Sequence, residues 1–507
     1  MAFLPIAASK DVTDKYLRYL RTIFSIKDPV YQKQLDSLLN DRRMFANGPF
    51  LEVTDSFEKG ANIEQLIEQN VLPHGFNNLR INLTRPLYRH QEKAIRQVLS
   101  GKNIVVSTGT GSGKTESFLI PLLASIVREH ENGTLNAGVR ALLIYPMNAL
   151  ANDQMERLRS LLADYPEITY GSYTGQTKET YKEALAEYRA LNDDHTPNGN
   201  ELISREQMKH TPPHILVTNY AMLEYLMVRP DDDVFFHEEN AHKWKYIVLD
   251  EAHVYSGSTG IEVAFLLRRL NATLKNPNIQ YILTSATLGD EKSNPEVASF
   301  AESLCNARFS EADVIRAERV TIRQEESDYC LPASFFAAYS EELQRDVPDL
   351  SALYEIDKEY GISTSKTDDV AEHIFDVLIK DETFQRIRAF VSAPKQIQQV
   401  SKETGWPEKS VEDFVVVASK GCKNDVRLFD ARYHLFLRAT DSVFITLGEK
   451  KHLFLTRKDR HFLPNGKELK VFEIATCSSC HTSIYIGRRW RKRARRCVRR
   501  SCASTTR

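Results

Sequence analysis

The 507-residue sequence predicts an α/β fold built on a parallel sheet that carries a phosphate-binding loop. Between residues 100 and 290, six short apolar runs are each followed by a loop and a helical stretch. Continuous apolarity in short runs is typical of strands buried on both faces of a parallel sheet. A glycine-rich segment follows the first run, and two adjacent carboxylates follow the fifth. Ligands bind at the carboxyl ends of strands in such sheets, which is where these polar residues fall.

The predicted strands alternate with helical stretches, which favours right-handed crossovers within one domain, residues 76–310. The polar segment 178–209, between the third and fourth strands, is interpreted as a surface insertion. The six predicted strands are 103–106, 139–145, 168–171, 214–217, 246–249 and 279–283.

The flanking regions have other patterns. Residues 1–75 show apolar pairs at helical spacing and are interpreted as a helical packing region without chemistry of its own. Residues 311–430 are mainly helical. Within them, 394–405 and 407–418 predict two helices around a glycine turn, either a helix-turn-helix (winged-helix) core that contacts DNA or a plain helical hairpin. Residues 431–487 predict a small β region with runs at 433–437, 443–447, 452–455 and 470–474.

Charge is distributed unevenly along the chain. The net charge is −1, but residues 488–507 hold ten Lys or Arg and no acid, so residues 1–487 carry −11. Bulk charge therefore does not indicate nucleic-acid binding, which would need a local groove. No apolar run approaches the ~20 residues of a membrane span, and the N-terminus has no signal-peptide pattern. The seven cysteines form no secreted disulfide framework, so we expect a cytoplasmic protein without a membrane partner.

The glycine-rich segment after the first strand predicts an ATP phosphate site with Mg²⁺. Lys114 would face the β- and γ-phosphates, and the Thr115 hydroxyl would help to hold Mg²⁺. The strict pattern begins with glycine where this chain has Thr108, but the strand before and the helix after argue against a chance glycine turn. The predicted cofactor-binding residues are Thr108, Gly109, Thr110, Gly111, Ser112, Gly113, Lys114 and Thr115.

The fifth strand delivers two carboxylates to its carboxyl end. Asp250 would bind Mg²⁺ through its water shell, and Glu251 would polarise the attacking water. Buried adjacent acids are costly unless a metal ion or hydrogen bonds compensate them, so this pair favours function over packing. His253 follows in the order Asp-Glu-Ala-His, where we expect it to couple hydrolysis to movement.

With these two motifs the chain resembles a superfamily 2 helicase of the DEAD/DEAH class, whose first RecA-like domain would cover residues 80–290. The resemblance implies that Gln91 reads adenine and that Ser285 and Thr287 couple hydrolysis to strand movement. It also implies contacts to phosphates of single-stranded or duplex DNA, from which these motifs do not distinguish RNA. The implied nucleic-acid-binding residues are Pro146, Asn148, Thr174, Gly175, Thr218 and Asn219.

Segments 48–52, 221–226 and 477–480 resemble large bacterial helicases of the MrfA and DrmA type. That resemblance implies a role in DNA repair or phage defence, a second RecA-like domain and a C-terminal cysteine module. After residue 290 we find no paired-arginine motif of a second motor domain, so we expect a partial chain. The alternatives to an active helicase are an ATP-gated nucleic-acid-binding fragment and a subunit that gains its second domain from another polypeptide.

The C-terminal cysteines and tail leave further alternatives open. Cys477 and Cys480 have the spacing of half a zinc site, and the nearby Cys497 and Cys502 are the remaining cysteine candidates. Zn²⁺ binding and a reduced thiol pair are both consistent with this spacing. The tail 488–507 is either a nucleic-acid-binding arm or the result of a shifted reading frame or truncation.

Overall fold

The computed structural model describes residues 5–24, 26–41, 44–109, 111–286, 289, 291–322, 326–345, 347–440, 442–476 and 483–486. The chain divides into two compact units. The sheet unit is Phe57–Val320, and the mixed unit combines Met1–Ser56 with Thr321–Arg507. None of the described helices is both long and apolar enough to cross a membrane.

Elements are numbered in chain order. The α-helices are α1 (Pro5–Ile23), α2 (Pro29–Asn40), α3 (Ile63–Glu68), α4 (Arg89–Leu99), α5 (Lys114–Glu131), α6 (Asn148–Leu161), α7 (Tyr181–Leu191), α8 (Arg205–His210), α9 (Tyr220–Val228), α10 (Glu238–Ala241), α11 (Gly257–Leu274), α12 (Asn294–Cys305), α13 (Ala333–Leu343), α14 (Leu350–Glu359), α15 (Val370–Leu378), α16 (Glu382–Phe390), α17 (Ile397–Thr404) and α18 (Glu408–Ala418). The strands are β1 (Ala46–Thr54), β2 (Lys59–Asn62), β3 (Pro86–Tyr88), β4 (Ile104–Ser107), β5 (Ala141–Tyr145), β6 (Tyr170–Ser172), β7 (Glu201–Leu202), β8 (Ile215–Asn219), β9 (Tyr246–Leu249), β10 (Gln280–Ser285), β11 (Val314–Arg316), β12 (Lys395–Gln396), β13 (Cys422–Lys423), β14 (Val426–Arg427), β15 (Asp430–Leu437), β16 (Val443–Thr446), β17 (Leu453–Phe454), β18 (Arg460–Phe462), β19 (Glu468–Thr476) and β20 (Ser483–Ile486).

The sheet unit contains the predicted parallel sheet. Its described strands lie in the order β11-β4-β10-β9-β5-β8-β6-β7, and all of their pairings are parallel. The six predicted strands correspond to β4, β5, β6, β8, β9 and β10. Helices α4, α5 and α6 cover one face of the sheet, and α9, α11 and α12 cover the other. Because both faces are covered, every residue of β4, β5 and β9 is buried, which explains their continuous apolarity.

The boundaries of the sheet unit differ from the predicted 76–310. Strands β2 and β3 pair with each other, so the unit takes in residues from 57 onward that we had assigned to the helical N-terminal region. Strand β11 pairs with β4, although we had assigned it to the mainly helical region 311–430. The segment 178–209 is more than a surface insertion, because its strand β7 extends the sheet at the β6 edge. Pairings between distant segments determine all three differences.

In the mixed unit, the prediction that residues 1–75 are helical holds for α1 and α2 and is wrong for β1. Strand β1 buries Leu51 and Val53 and pairs antiparallel with β15, with Leu51 opposite Tyr433. On its other side β1 pairs with β12. This pairing across almost 400 residues has no counterpart in local sequence periodicity, so it was not predicted.

The two helices predicted at 394–418 are present as α17 and α18, with Gly405 between them in the left-handed region (φ 74°). A DNA-reading helix needs an exposed face. Helix α18 instead buries most of its circumference, including two acids, so the helical-hairpin alternative describes this segment better than DNA contact. The buried residues of α18 are Val411, Glu412, Asp413, Phe414, Val415, Val417 and Ala418.

The four β runs predicted in residues 431–487 are confirmed as β15, β16, β17 and β19. Within the described parts of the mixed unit, every pair of strands is antiparallel. These ranges therefore contain no second parallel sheet of the kind found in the sheet unit.

Candidate functional site

The phosphate-binding loop connects β4 to α5. Gly111 and Gly113 have φ values of 77° and 70°, in the left-handed region where glycine meets no Cβ penalty. The hydroxyls of Thr108 and Ser112 lie 2.6 Å apart, and both side chains are buried. Thr108, which stands where the strict pattern has glycine, therefore braces the loop. Thr110 lies outside the described residues.

Lys114 and the acid pair meet at the carboxyl edge of the sheet. The Lys114 Nζ atom lies 3.1 Å from Glu251 Oε1, although the two residues are 137 positions apart in the sequence. Asp250 precedes Glu251 at the end of β9, and burial raises the pKa of its carboxyl while Thr284 and Lys114 lower it. Thr115 follows Lys114 in the first turn of α5 and is half-buried. Carboxylate and hydroxyl oxygens are ligands that Mg²⁺ prefers, and an ammonium group opposes phosphate charge. These residues therefore fit Mg-ATP.

The backbone of Glu251 adopts a left-handed conformation (φ 49°, ψ 47°), which is costly for a residue with a Cβ. Its N–H donates a hydrogen bond to Thr284 Oγ1 at 3.3 Å, and the same hydroxyl donates to Asp250 Oδ1. Thr284 is fully buried and follows Leu283, which pairs with Leu249 in the sheet. One hydroxyl therefore fixes both members of the acid pair. Sequence analysis gave Thr284 no role of its own, because only the strand register reveals it.

The next residue on β10 connects the acid pair to the phosphate-binding loop. Ser285 Oγ lies 3.2 Å from His253 Nδ1, and His253 Nδ1 lies 3.3 Å from Glu251 Oε2. The carbonyl of Ser285 accepts a hydrogen bond from the N–H of Thr108 at 3.2 Å. Ser285 and His253 therefore lie together, as a coupling role requires. Thr287, the other predicted coupling residue, lies outside the described residues.

Gln91 packs against the phosphate-binding loop. Its Nε2 donates to the carbonyl of Gly113 at 2.8 Å, and its Oε1 accepts from the N–H of Tyr88 at 2.8 Å. Both ends of the amide are thus bonded to backbone, so pairing with adenine stays a prediction that requires these partners to be exchanged. The neighbouring His90 donates from Nε2 to the carbonyl of Ser112 at 2.9 Å, and burial lowers its pKa.

The predicted nucleic-acid residues lie at the carboxyl ends of three neighbouring strands, β5, β6 and β8. Asn219 Nδ2 donates to Asn148 Oδ1 at 2.8 Å, so the end of β8 contacts the start of α6. Thr218 is fully buried, and its hydroxyl donates to the carbonyl of Tyr173 at 2.7 Å. The Thr218 side chain therefore positions the loop after β6, and the prediction that it contacts phosphate directly does not fit its burial. Pro146 is half-buried at the start of its loop.

The loop after β6 is held by residues that sequence analysis missed. Arg205, from the inserted segment, donates to the carbonyl of Thr174 at 3.2 Å and stacks over the Tyr173 ring at 5.2 Å. The Thr177 hydroxyl accepts from the N–H of Thr174 at 2.9 Å. Thr174 is buried, whereas Gly175 is exposed. No local pattern around Arg205 could have revealed this contact.

The predicted Zn²⁺ ligands Cys477 and Cys480 lie outside the described residues. Among the residues that the structure does describe, no group of three or more His, Cys, Asp or Glu side chains is arranged to hold a metal ion.

The fold and the site define a phosphate-loop nucleotide-binding domain. Residues 88–294 match the family model of the DEAD/DEAH box helicases. Residues 88–294 therefore form a DEAD/DEAH box helicase domain.

Individual relatives match only in part. The chain is 30% identical over 374 residues to Druantia protein DruE of Escherichia coli, covering 55% of this chain and 20% of that protein. It is 30% identical over 209 residues to the uncharacterized ATP-dependent helicase YprA of Bacillus subtilis, covering 41% of this chain and 23% of that protein. Among solved structures, the DUF1998 helicase MrfA bound to DNA is 26% identical with a TM-score of 0.39, covering 53% of this chain and 30% of that one. The chain thus spans about a fifth to a quarter of the length of these curated relatives.

Proposed function

We propose that this chain binds Mg-ATP at the phosphate-binding loop and uses it in work on nucleic acid, as a helicase-family ATPase. The observation that carries the proposal is the 3.1 Å approach of Lys114 to Glu251 at the carboxyl edge of the sheet. It brings the cation of the phosphate-binding loop and the acid pair to one place. A half-buried pair of acids beside a lysine at this edge has few purposes in packing alone.

Each residue of the site has a role in this proposal. Lys114 opposes phosphate charge, and Thr115 and Asp250 would hold Mg²⁺. Bound Mg-ATP supplies the phosphoryl group that passes to water. Glu251 polarises that water and can take up its proton, with its direction fixed by the hydrogen bond from its N–H to Thr284.

The proposed partner is single-stranded nucleic acid, with DNA favoured over RNA by the resemblance to MrfA-type helicases. The loops after β5 and β6 and the end of β8 belong to neighbouring strands of the sheet. The contact between Asn148 and Asn219 supports one continuous path for a nucleic-acid strand along them. A role in DNA repair or phage defence rests on the same resemblance and stays a prediction, as does zinc at Cys477 and Cys480.

An ATP-gated binding module that turns over slowly is the second candidate. It is favoured by the antiparallel pairing of all strands in the described parts of the mixed unit. Helicases close their ATP site with an arginine from a second motor domain, and these ranges contain no such sheet. In a related form of this candidate, a second polypeptide supplies that domain.

Titration with a fluorescent ATP analogue in the presence of Mg²⁺ tests the proposal. Lys114→Ala removes a charge that opposes several phosphate charges, so affinity should fall at least tenfold, about 1.4 kcal/mol. Lys102→Ala, at an exposed lysine just before β4, is the matched control and should bind like the wild type. Equal affinities of Lys114→Ala and the wild type would overturn the assignment of the loop.

A further inference from the structure

A large polar cleft lies in the sheet unit beside the loop after β6. Its volume is about 1020 Å³, at the upper end of the range for small-molecule sites in proteins. Helix α6 and helix α7 contribute Asn152 and Tyr188 to its walls, and Thr174 and Gly175 also line it. A Cβ added at Gly175 would meet no atom within 4 Å, so the cleft is open at this point.

The basic side chains that line the cleft are already paired with carboxylates. Arg159 makes two hydrogen bonds to Glu201, at 2.8 and 2.7 Å. Lys178 lies 3.3 Å from Glu187, and Arg205 lies 3.5 Å from a carboxylate oxygen of Glu179. With its cations paired, the cleft is poorly suited to a phosphate group. Its neutral amides, at Asn152 and Gln176 among others, suit a ligand that both donates and accepts hydrogen bonds.

The cleft also contains a well-supported aromatic ring. Tyr188 is half-buried, with the Arg159 guanidinium 5.1 Å from its ring centroid and its hydroxyl donating to Glu201 at 3.4 Å. A ring held in this way is suited to stacking, because little side-chain freedom remains to be lost. Nucleobases separated from a strand are recognised by aromatic stacking together with hydrogen bonds to their edges.

From these observations we propose that the cleft is a subsite for one unstacked nucleobase of a bound single strand. This inference rests on the proposed function, which brings the strand to the loop at Thr174 and Gly175. The phosphates remain outside at that loop, and the base turns into the cleft to stack on Tyr188. The inserted segment thus serves two purposes, since it builds the cleft and holds the loop through Arg205.

The test compares Tyr188→Ala with two matched variants of the full chain. Tyr188→Phe keeps the ring, and Tyr181→Ala removes an exposed tyrosine of the same helix that does not line the cleft. Fluorescence anisotropy would follow binding to labelled single-stranded oligonucleotides, either intact or with one abasic nucleotide placed at successive positions. Circular dichroism would confirm that each variant is folded.

We expect Tyr188→Ala to weaken binding of the intact strand about fivefold or more, the low end for loss of one base–aromatic stack. Tyr188→Phe and Tyr181→Ala should bind like the wild type. An abasic nucleotide at one position should weaken wild-type binding by a similar factor and leave Tyr188→Ala no weaker than before.

Two results would overturn the inference while leaving the proposed function intact. In the first, the wild type binds single strands, but an abasic nucleotide lowers its affinity at none of the positions tested. In the second, Tyr188→Ala loses affinity equally for the intact strand and for every abasic strand, which would mean that the tyrosine acts only through the fold of the loop. Failure of the wild type to bind any single strand would overturn the proposed function and this inference together.

Discussion

Replacement of Thr284 by valine should remove the two hydrogen bonds that hold Asp250 and Glu251 in place. The hydroxyl of Thr284 is fully buried, donates to Asp250 Oδ1 and accepts from the N–H of Glu251. Valine has nearly the same shape but leaves both groups without this partner. Each buried group left unsatisfied costs about 1–3 kcal/mol, and burial of the two groups is incomplete at Glu251, so we expect a total loss of about 1–3 kcal/mol.

The left-handed backbone at Glu251 should relax in the same variant, because its N–H bond to Thr284 offsets a conformational cost of about 1–2 kcal/mol. Asp250 then loses its fixed orientation toward Mg²⁺. We therefore expect Mg²⁺ to enhance nucleotide affinity less in Thr284→Val than in the wild type, while affinity measured in EDTA stays the same.

Thermal unfolding and fluorescent-nucleotide titration, each with and without Mg²⁺, would measure these effects. A loss of 1–3 kcal/mol corresponds to a fall in the unfolding midpoint of roughly 2–12 °C for a unit of this size. Thr284→Ser is the control, since it keeps the hydroxyl and should behave nearly as the wild type. The reasoning is refuted if Thr284→Val matches the wild type in both its midpoint and its Mg²⁺ dependence.

Three further predictions concern turnover, salt and pH. The chain alone should hydrolyse ATP slowly and should not unwind duplex, because an arginine supplied from across the cleft is worth about 10³–10⁵ in rate. Glu251→Gln should then change the rate of multiple-turnover hydrolysis little. Strong DNA-stimulated hydrolysis that Glu251→Gln abolishes would contradict this prediction. Single-strand affinity should fall with salt, with a log–log slope of about −0.7 per phosphate neutralised. If the tail 488–507 is a nucleic-acid-binding arm, its removal should make this slope shallower, and an unchanged slope would mean that the tail contributes nothing. Burial, with help from Arg140, lowers the pKa of His214 to about 4, and its ring is held neutral because Nδ1 accepts from the N–H of Thr169 while Nε2 donates to the carbonyl of Asn136. The unfolded chain binds this proton near pH 6.5 and the folded chain does not, so the free energy of unfolding should fall by up to about 3 kcal/mol as the pH drops from about 6.5 to 4. The unfolding midpoints at pH 7.5 and pH 5 should therefore differ less in His214→Gln than in the wild type. An equal difference in both proteins would show that another group is responsible.

Some of the expectations from sequence concerned the local conformation of a few consecutive residues, and the structure confirms the strands and helices that they placed. The phosphate-binding loop between β4 and α5 needs glycine at its positive-φ positions, a requirement visible in the sequence itself. The acid pair follows a fully buried strand, so its place at the sheet edge could be predicted as well. The role of Gln91 was harder to predict. The structure bonds its amide to backbone on both sides, an arrangement that depends on how α4 packs against the loop.

The sequence by itself determined the class of fold, because burial on two faces and the sterics of glycine act on a few consecutive residues. Only the tertiary structure decided which distant groups meet. The register of β10 against β9 places Thr284 between the two acids, and the packing of α8 brings Arg205 to the loop after β6. The pairing of β1 with β15 likewise joins the two ends of the chain in one unit. These contacts depend on register and packing between segments far apart in the chain, which periodicity and spacing do not encode.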